Sequence, residues 1–169
     1  AADVAIRFGK AQLEAGAHLP IVFDPSSSPD FIPAAFYREL VLPRVKRVFS
    51  ALKQAGCEIN WLHTAGPVET ILSYYPSAGV NLANIDYCVS LSNAVETLPN
   101  TCLNGNIKPL SFVDGNSEEI AATAGGILNA MADRGGFILS SGCEIPPESK
   151  PENIVAMVSA ASREPFDSF

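Results

Sequence analysis

The sequence predicts an α/β fold built on a parallel sheet, and three observations carry that expectation. Apolar runs of strand length alternate with helical patterns along the whole chain, helix boundaries carry residues that supply missing hydrogen bonds, and polar side chains gather just after the apolar runs. The chain opens on AADVAIRFGK, an amphipathic helical pattern that places Val4, Phe8, Ala11 and Ala15 on one face. There is no initiating Met and the helix is already under way, so the chain is expected to begin inside a larger fold.

Five segments read as buried parallel strands, at residues 18–24, 58–63, 81–86, 101–104 and 136–140. Helical patterns occupy residues 30–55, 68–77, 90–98, 117–134 and 151–161. Pro43 falls inside the first of these. A proline there lacks a donor and crowds the preceding turn, so a kink or a split into two helices is expected. Ser117 with Glu118 and Glu119 marks one helix start and Pro151 another, while Gly56 and Gly135 follow last turns.

With 169 residues, 47% of them hydrophobic and 17% charged, the chain is expected to bury a core as a single domain over residues 1–169. The Pro/Ser-rich pieces at 25–29 and 146–151 read as loops after strands. A net charge of −7 without any Lys/Arg cluster argues against nucleic acid as a partner. No apolar run approaches the roughly 20 residues that span a bilayer, so no membrane association is expected. Cys57, Cys88, Cys102 and Cys143 share no CxxC spacing, and they read as reduced thiols of a cytoplasmic protein.

The chemistry-bearing residues stand at the carboxyl ends of the expected strands. Asp24 follows IVF, His63 follows NWL, Asp86 follows ANI, Asn106 follows CLNG and Cys143 follows ILSSG. In a parallel βα repeat these loops share one rim, so the five side chains can converge although they are far apart in sequence. Each also has a plainer role: Asp24 and Asp86 as turn residues, Asn106 as part of a glycine turn, His63 as a satisfied polar group and Cys143 as a small buried thiol. Cys57 and Cys102 read as packing residues, His18 as a surface residue, and Tyr74 with Tyr75 as structural. An eight-stranded barrel needs about 250 residues. Five βα units therefore fit either an open sheet or the carboxyl-terminal part of a barrel.

Motifs in order along residues 8–160 resemble the uroporphyrinogen decarboxylase superfamily. KAQLEAGAHLPIVFDPSSS resembles the approach to its fourth strand, FYRELVLPRVKRV its "F..FVLPY.KRI" helix, and INWLHTAGPVETIL the strand ending "HxCG" in its corrinoid-dependent methyltransferases. LNGNIKPL resembles its "GNLDP" turn, and GGFILSSGCEIPPESKPENIVAMV its last strand and helix. The resemblance implies a TIM (β/α)8 barrel of which this chain supplies the last five βα units. Where decarboxylases carry "GHG" on the last strand, Cys143 stands here, which favours the methyltransferase branch.

In that branch the resemblance implies zinc held by a His, a Cys two residues on and the last-strand Cys. It also implies methylcobalamin as methyl donor or acceptor, a corrinoid protein as partner, and Asp24, Asp86 and Asn106 lining the pocket. His63 and Cys143 match two of the ligands, and Ala65 stands where the third is expected. Asp86, Cys88 and Glu144 are the rim side chains that can stand in for it. Two other functions remain open: a decarboxylase of the same fold, and a zinc-free binding or degenerate member. Five strands of a barrel leave two open edges, so pairing with the amino-terminal half or self-association as a homo-oligomer is expected.

Overall fold

The computed structural model describes residues 1–162. Helix α1 (Ala2–Glu14) leads into β1 (Ile21–Phe23), and β2 (Trp61–His63), β3 (Leu82–Asn84), β4 (Cys102–Ile107) and β5 (Phe137–Ser141) follow in turn. Between β1 and β2 run α2 (Ala34–Phe36), a π segment (Tyr37–Val41) and α3 (Leu42–Gln54). Short helices α4 (Glu69–Leu72) and α5 (Tyr75–Ala78) join β2 to β3, and α6 (Leu91–Thr97) joins β3 to β4. Next come α7 (Ser111–Asp114) and α8 (Ser117–Ala130), and α9 (Pro151–Ala161) packs on α8 after β5.

The five strands are parallel and lie in the order β1-β2-β3-β4-β5. An order that follows the chain without reversal is that of a barrel sector, because a doubly wound sheet reverses where its helices change face. Successive side chains point to opposite faces. Val22, Leu62, Ala83, Ile85, Leu103 and Phe137 face the helices in one core, and Ile107 and Leu139 join a second core with Phe112, Ile120 and Ala124. Ile21, Phe23, His63, Asn84, Asn104, Asn106 and Ile138 alternate with these on the other face. There Ile21 and Phe23 are each 47% exposed and Ile138 45%. Such exposure suits strands that would line a closed barrel, and β1 and β5 each pair on one side only among the described residues.

Several expectations need correction. Helix 30–55 starts later, at Ala34, and the expected division is present: α2 and the π segment lead into α3, with Pro43 in the first turn of α3. The division takes the form of a π turn: the N–H of Leu42 donates to the carbonyl of Tyr37, five residues back. The Leu40 carbonyl accepts from the Arg44 guanidinium. The pattern at 68–77 forms two short helices, because Pro76 supplies no N–H and sits in the first turn of α5. The cap of α8 is Asn116, one residue before the expected Ser117, and it forms a capping box with Glu119. Cys102 is half-buried and not fully packed away.

Helix α1 is present, but its expected apolar face points outward. Val4 is 60% and Phe8 66% exposed, whereas Ala2, Ile6 and Leu13 pack on the core. Gly9 decides the choice. A Cβ there would stand 2.5 Å from Leu52 Cδ2, so a larger residue would have to push that buried side-chain tip aside for α1 to lie this close to α3. Among the described residues no helix is long and apolar enough to cross a membrane.

Candidate functional site

The carboxyl ends of all five strands open on one rim, and Asp86 is the group that ties their loops together. Buried after β3, its carboxylate accepts from the N–H of Gly66 and from the N–H of Tyr87, each at 2.7 Å. Gly66 lies three residues beyond His63, so the first bond joins the end of β2 to that of β3. Gly66 has φ +87, and a Cβ on it would meet Ser28 Oγ at 2.6 Å, which draws the loop after β1 into the same junction. Asn106 of β4 closes the junction from the other side: its amide donates to the carbonyls of Asp86 at 3.3 Å and Val89 at 3.0 Å.

The loop after β5 reaches Asp86 through Gly142. A Cβ at Gly142 would stand 2.5 Å from the Tyr87 nitrogen and 2.9 Å from Asp86 Oδ1. Backbone cannot yield as a side-chain tip does. Gly142→Ala is therefore expected to cost about 1–3 kcal/mol and to displace Cys143, its neighbour. Urea denaturation gives the first quantity and the alkylation rate of Cys143 reports the second. A variant as stable and as slowly alkylated as the native chain would mean that the contact is not tight.

Of the residues expected at the site, His63, Asp86 and Cys143 share this rim. His63 packs edge-on against Phe23, ring centroids 4.6 Å apart, and its Nε2 is buried without a hydrogen-bond partner. Burial lowers its pKa from the usual 6.5, opposed by the carboxylates of Asp86 and Glu144. Burial also pushes the Cys143 thiol up; the Glu144 N–H counters this, and the Asp86 and Glu144 charges add to it. The Asp86 and Glu144 carboxylates thus act on both groups, which places the ends of β2 and β5 in one electrostatic neighbourhood. At neutral pH the pair is an uncharged imidazole and a protonated thiol. Cys88, next to the same carboxylate, is pushed up by partial burial and by Asp86.

Asp24 and Asn106 behave more plainly. The Asp24 carboxylate accepts from Ser27 Oγ at 2.5 Å, a turn contact within its own loop. Asn106 is a brace for the Asp86 loop. A row of amides missed in the sequence runs beneath them, with Asn84 donating to Asn104 Oδ1 at 2.8 Å across β3 and β4. Its signal was available, since Asn84 ends the apolar run of β3 and Asn104 stands two residues before Asn106 in β4. Lys108 supplies a rim cation, its Nζ 5.7 Å from the centre of the Tyr87 ring.

For zinc the donor set is incomplete. The orphaned His63 nitrogen and the Cys143 thiol suit it, but Ala65 offers nothing and Asp86 spends its carboxylate on two backbone N–H groups. Among the described residues no three His, Cys, Asp or Glu side chains gather into a group able to hold a metal ion. These residues alone do not fit a zinc site.

The lowered pKa of His63 fixes a pH dependence. The unfolded ring takes a proton near pH 6.5, the folded one only below that. Stability from the neutral ring is therefore complete above about pH 6.5 and is lost as pH falls through the folded value. The melting temperature is expected to fall between pH 7.5 and pH 5.5, and to fall less in His63→Gln. Equal drops in the two proteins would contradict the assignment.

Residues 1–164 match the family model described as uroporphyrinogen decarboxylase (URO-D). Among curated proteins, a methylcobamide:CoM methyltransferase MtbA of Methanosarcina acetivorans is 29% identical over 160 residues, covering 94% of this chain and 46% of that protein. A uroporphyrinogen decarboxylase of Syntrophotalea carbinolica is 34% identical over 162 residues, covering 95% of this chain and 46% of its own length. A solved methyltransferase from Methanosarcina mazei superposes with a TM-score of 0.83 at 27% identity, across 94% of this chain and 46% of that one. The chain spans about half the length of the relatives it matches.

Proposed function

Because the chain belongs to the uroporphyrinogen decarboxylase (URO-D) family, we propose that it forms the carboxyl-terminal half of a methyltransferase barrel. The enzyme would move a methyl group between a corrinoid and a small acceptor, a thiol above all. The observation that carries this reading is the thiol of Cys143 at the end of the last strand, on the rim that holds the unpaired Nε2 of His63. The methyltransferase relatives and the matching solved methyltransferase support it.

A bound corrinoid would supply or receive the methyl group, presented on a separate corrinoid protein over the open rim. The chain's own residues would handle the acceptor. His63, neutral and desolvated, takes up the proton that the acceptor thiol releases as its sulfur becomes a thioether. Cys143 lines the acceptor position as a thiol, and Asp86 with Asn106 holds the loops that bring the two together. Zinc, if the enzyme uses it, needs a donor beyond His63 and Cys143. The amino-terminal half of the barrel would cover the open edges of β1 and β5, and we place the protein in the cytoplasm.

A decarboxylase function is the second reading, favoured by the 34% identity to the Syntrophotalea enzyme. An assay of methyl transfer from methylcobalamin to small thiols, followed in the corrinoid absorbance, separates the two. Thiol-dependent turnover that drops at least tenfold in His63→Gln and in Cys143→Ser is expected. Carbon dioxide release from a uroporphyrinogen-type acid, independent of thiol, would replace this reading with the other.

A further inference from the structure

A row of side chains crosses the interior face of the sheet at the level of His63. The register sets Phe23 opposite His63, Asn84 opposite Asn104 and Asn104 opposite Ile138. Leu62 stands opposite Ala83, so the residues that follow them, His63 and Asn84, are side by side on adjacent strands whose spacing is about 5 Å. Alternation along each strand puts both on the same face. Within this row the hydrogen bonds run one way. Asn104 Nδ2 donates to the Ile138 carbonyl at 3.4 Å, and Asn84 Nδ2 donates to Asn104 Oδ1 at 2.8 Å. A main-chain carbonyl can only accept, so it fixes how the Asn104 amide lies, and Asn104 in turn fixes the Asn84 amide. Asn84 Oδ1 is the acceptor left over at the His63 end, buried and without a partner. His63 Nε2 beside it is buried and without one as well.

An amide oxygen needs a donor, and a neutral imidazole has one N–H to give. Burial favours the neutral His63 ring at pH 7. Two bare atoms in the interior each carry a desolvation penalty, whereas one bond between them relieves both. His63 Nδ1 is not sealed in this way, so it is the nitrogen open to the rim. We propose that Asn84 is a positioning residue for His63, accepting the Nε2 proton at its Oδ1 so that Nδ1 faces the rim without a proton. The directed row from the Ile138 carbonyl through Asn104 and Asn84 then selects the ring tautomer and holds the ring plane. One further step rests on the methyl-transfer reading. There Nδ1 takes the proton of the acceptor thiol as the sulfur gains its methyl group, while the Nε2 proton stays in its bond to Asn84.

Nitrogen-15 spectra of the imidazole rings test this in the intact chain at neutral pH. The chain has two histidines, and His63→Gln leaves only His18, which assigns the signals. The expected native result is a His63 proton on Nε2 that exchanges slowly enough to be seen, with Nδ1 unprotonated and a nuclear Overhauser contact from that proton to the Asn84 side-chain amide. Asn84→Leu keeps the approximate shape and removes the acceptor, so the proton should move to Nδ1, where water accepts from it. Asn104→Leu unties the Asn84 amide one link away and should lose the Nε2 proton signal to faster exchange. A native ring protonated on Nδ1, or an Nε2 proton without contact to Asn84, overturns the proposal. So does a native ring spectrum in folded Asn84→Leu or Asn104→Leu, and if neither variant folds the native spectrum alone decides. None of these spectra requires a reaction, so the proposal and the methyl-transfer reading can fail separately.

Discussion

Asp86→Ala is expected to remove about 3–5 kcal/mol of stability and to loosen the whole rim. Two backbone donors, the N–H groups of Gly66 and Tyr87, lose a charged acceptor at 2.7 Å, while the Asn106 bonds to the carbonyls of Asp86 and Val89 remain. A loss of that size is a large share of the roughly 5–15 kcal/mol that holds a domain together. Asp86→Asn keeps one acceptor oxygen but turns a donor toward the second N–H, so it should cost about half as much. Urea denaturation measures both losses. Amide hydrogen exchange locates them, with Gly66 and Tyr87 losing protection first. A loss below about 1 kcal/mol for the alanine variant would show that the rim is held by other contacts.

The order of importance at this rim could be read only partly from the sequence. His63, Asp86 and Cys143 were placed at strand ends because apolar runs bounded by turns set the strands, and parallel βα units bring those ends to one side. That Asp86 joins the loops was hidden, since its partners are the backbone N–H groups of Gly66 and Tyr87 and the close approach of Gly142. Main-chain contacts leave no residue type to recognise beyond two glycines. Helix α1 shows the limit of periodicity in the same way. Both of its faces carry apolar side chains, and the choice went to the one where Gly9 permits contact with Leu52. Pro43 marked a break in its helical segment, but the π form of that break was illegible because the backbone has more than one way to spare the proline's clash.

The resemblance of the motif order did more than any single residue. Individual segments such as LNGNIKPL are short, but their sequence along the chain agrees with the match to the URO-D family over residues 1–164. What that order does not transmit is the metal chemistry, because the residue that would decide it is Ala65.

A methyltransferase site on this rim requires the ends of β2 and β5 to aim at a common point, and Ala65→Cys tests that most directly. The variant adds a thiol two residues from His63, on the rim shared with Cys143. Zinc affinity of the native chain and of Ala65→Cys would be measured by competition with a chromogenic chelator. If the three positions converge, a third soft donor should tighten binding by about a hundredfold or more, and Cys143→Ser in the same background should remove the gain. Equal affinity of the native chain and Ala65→Cys would contradict the convergence of His63, residue 65 and Cys143, and with it the methyltransferase reading of this rim.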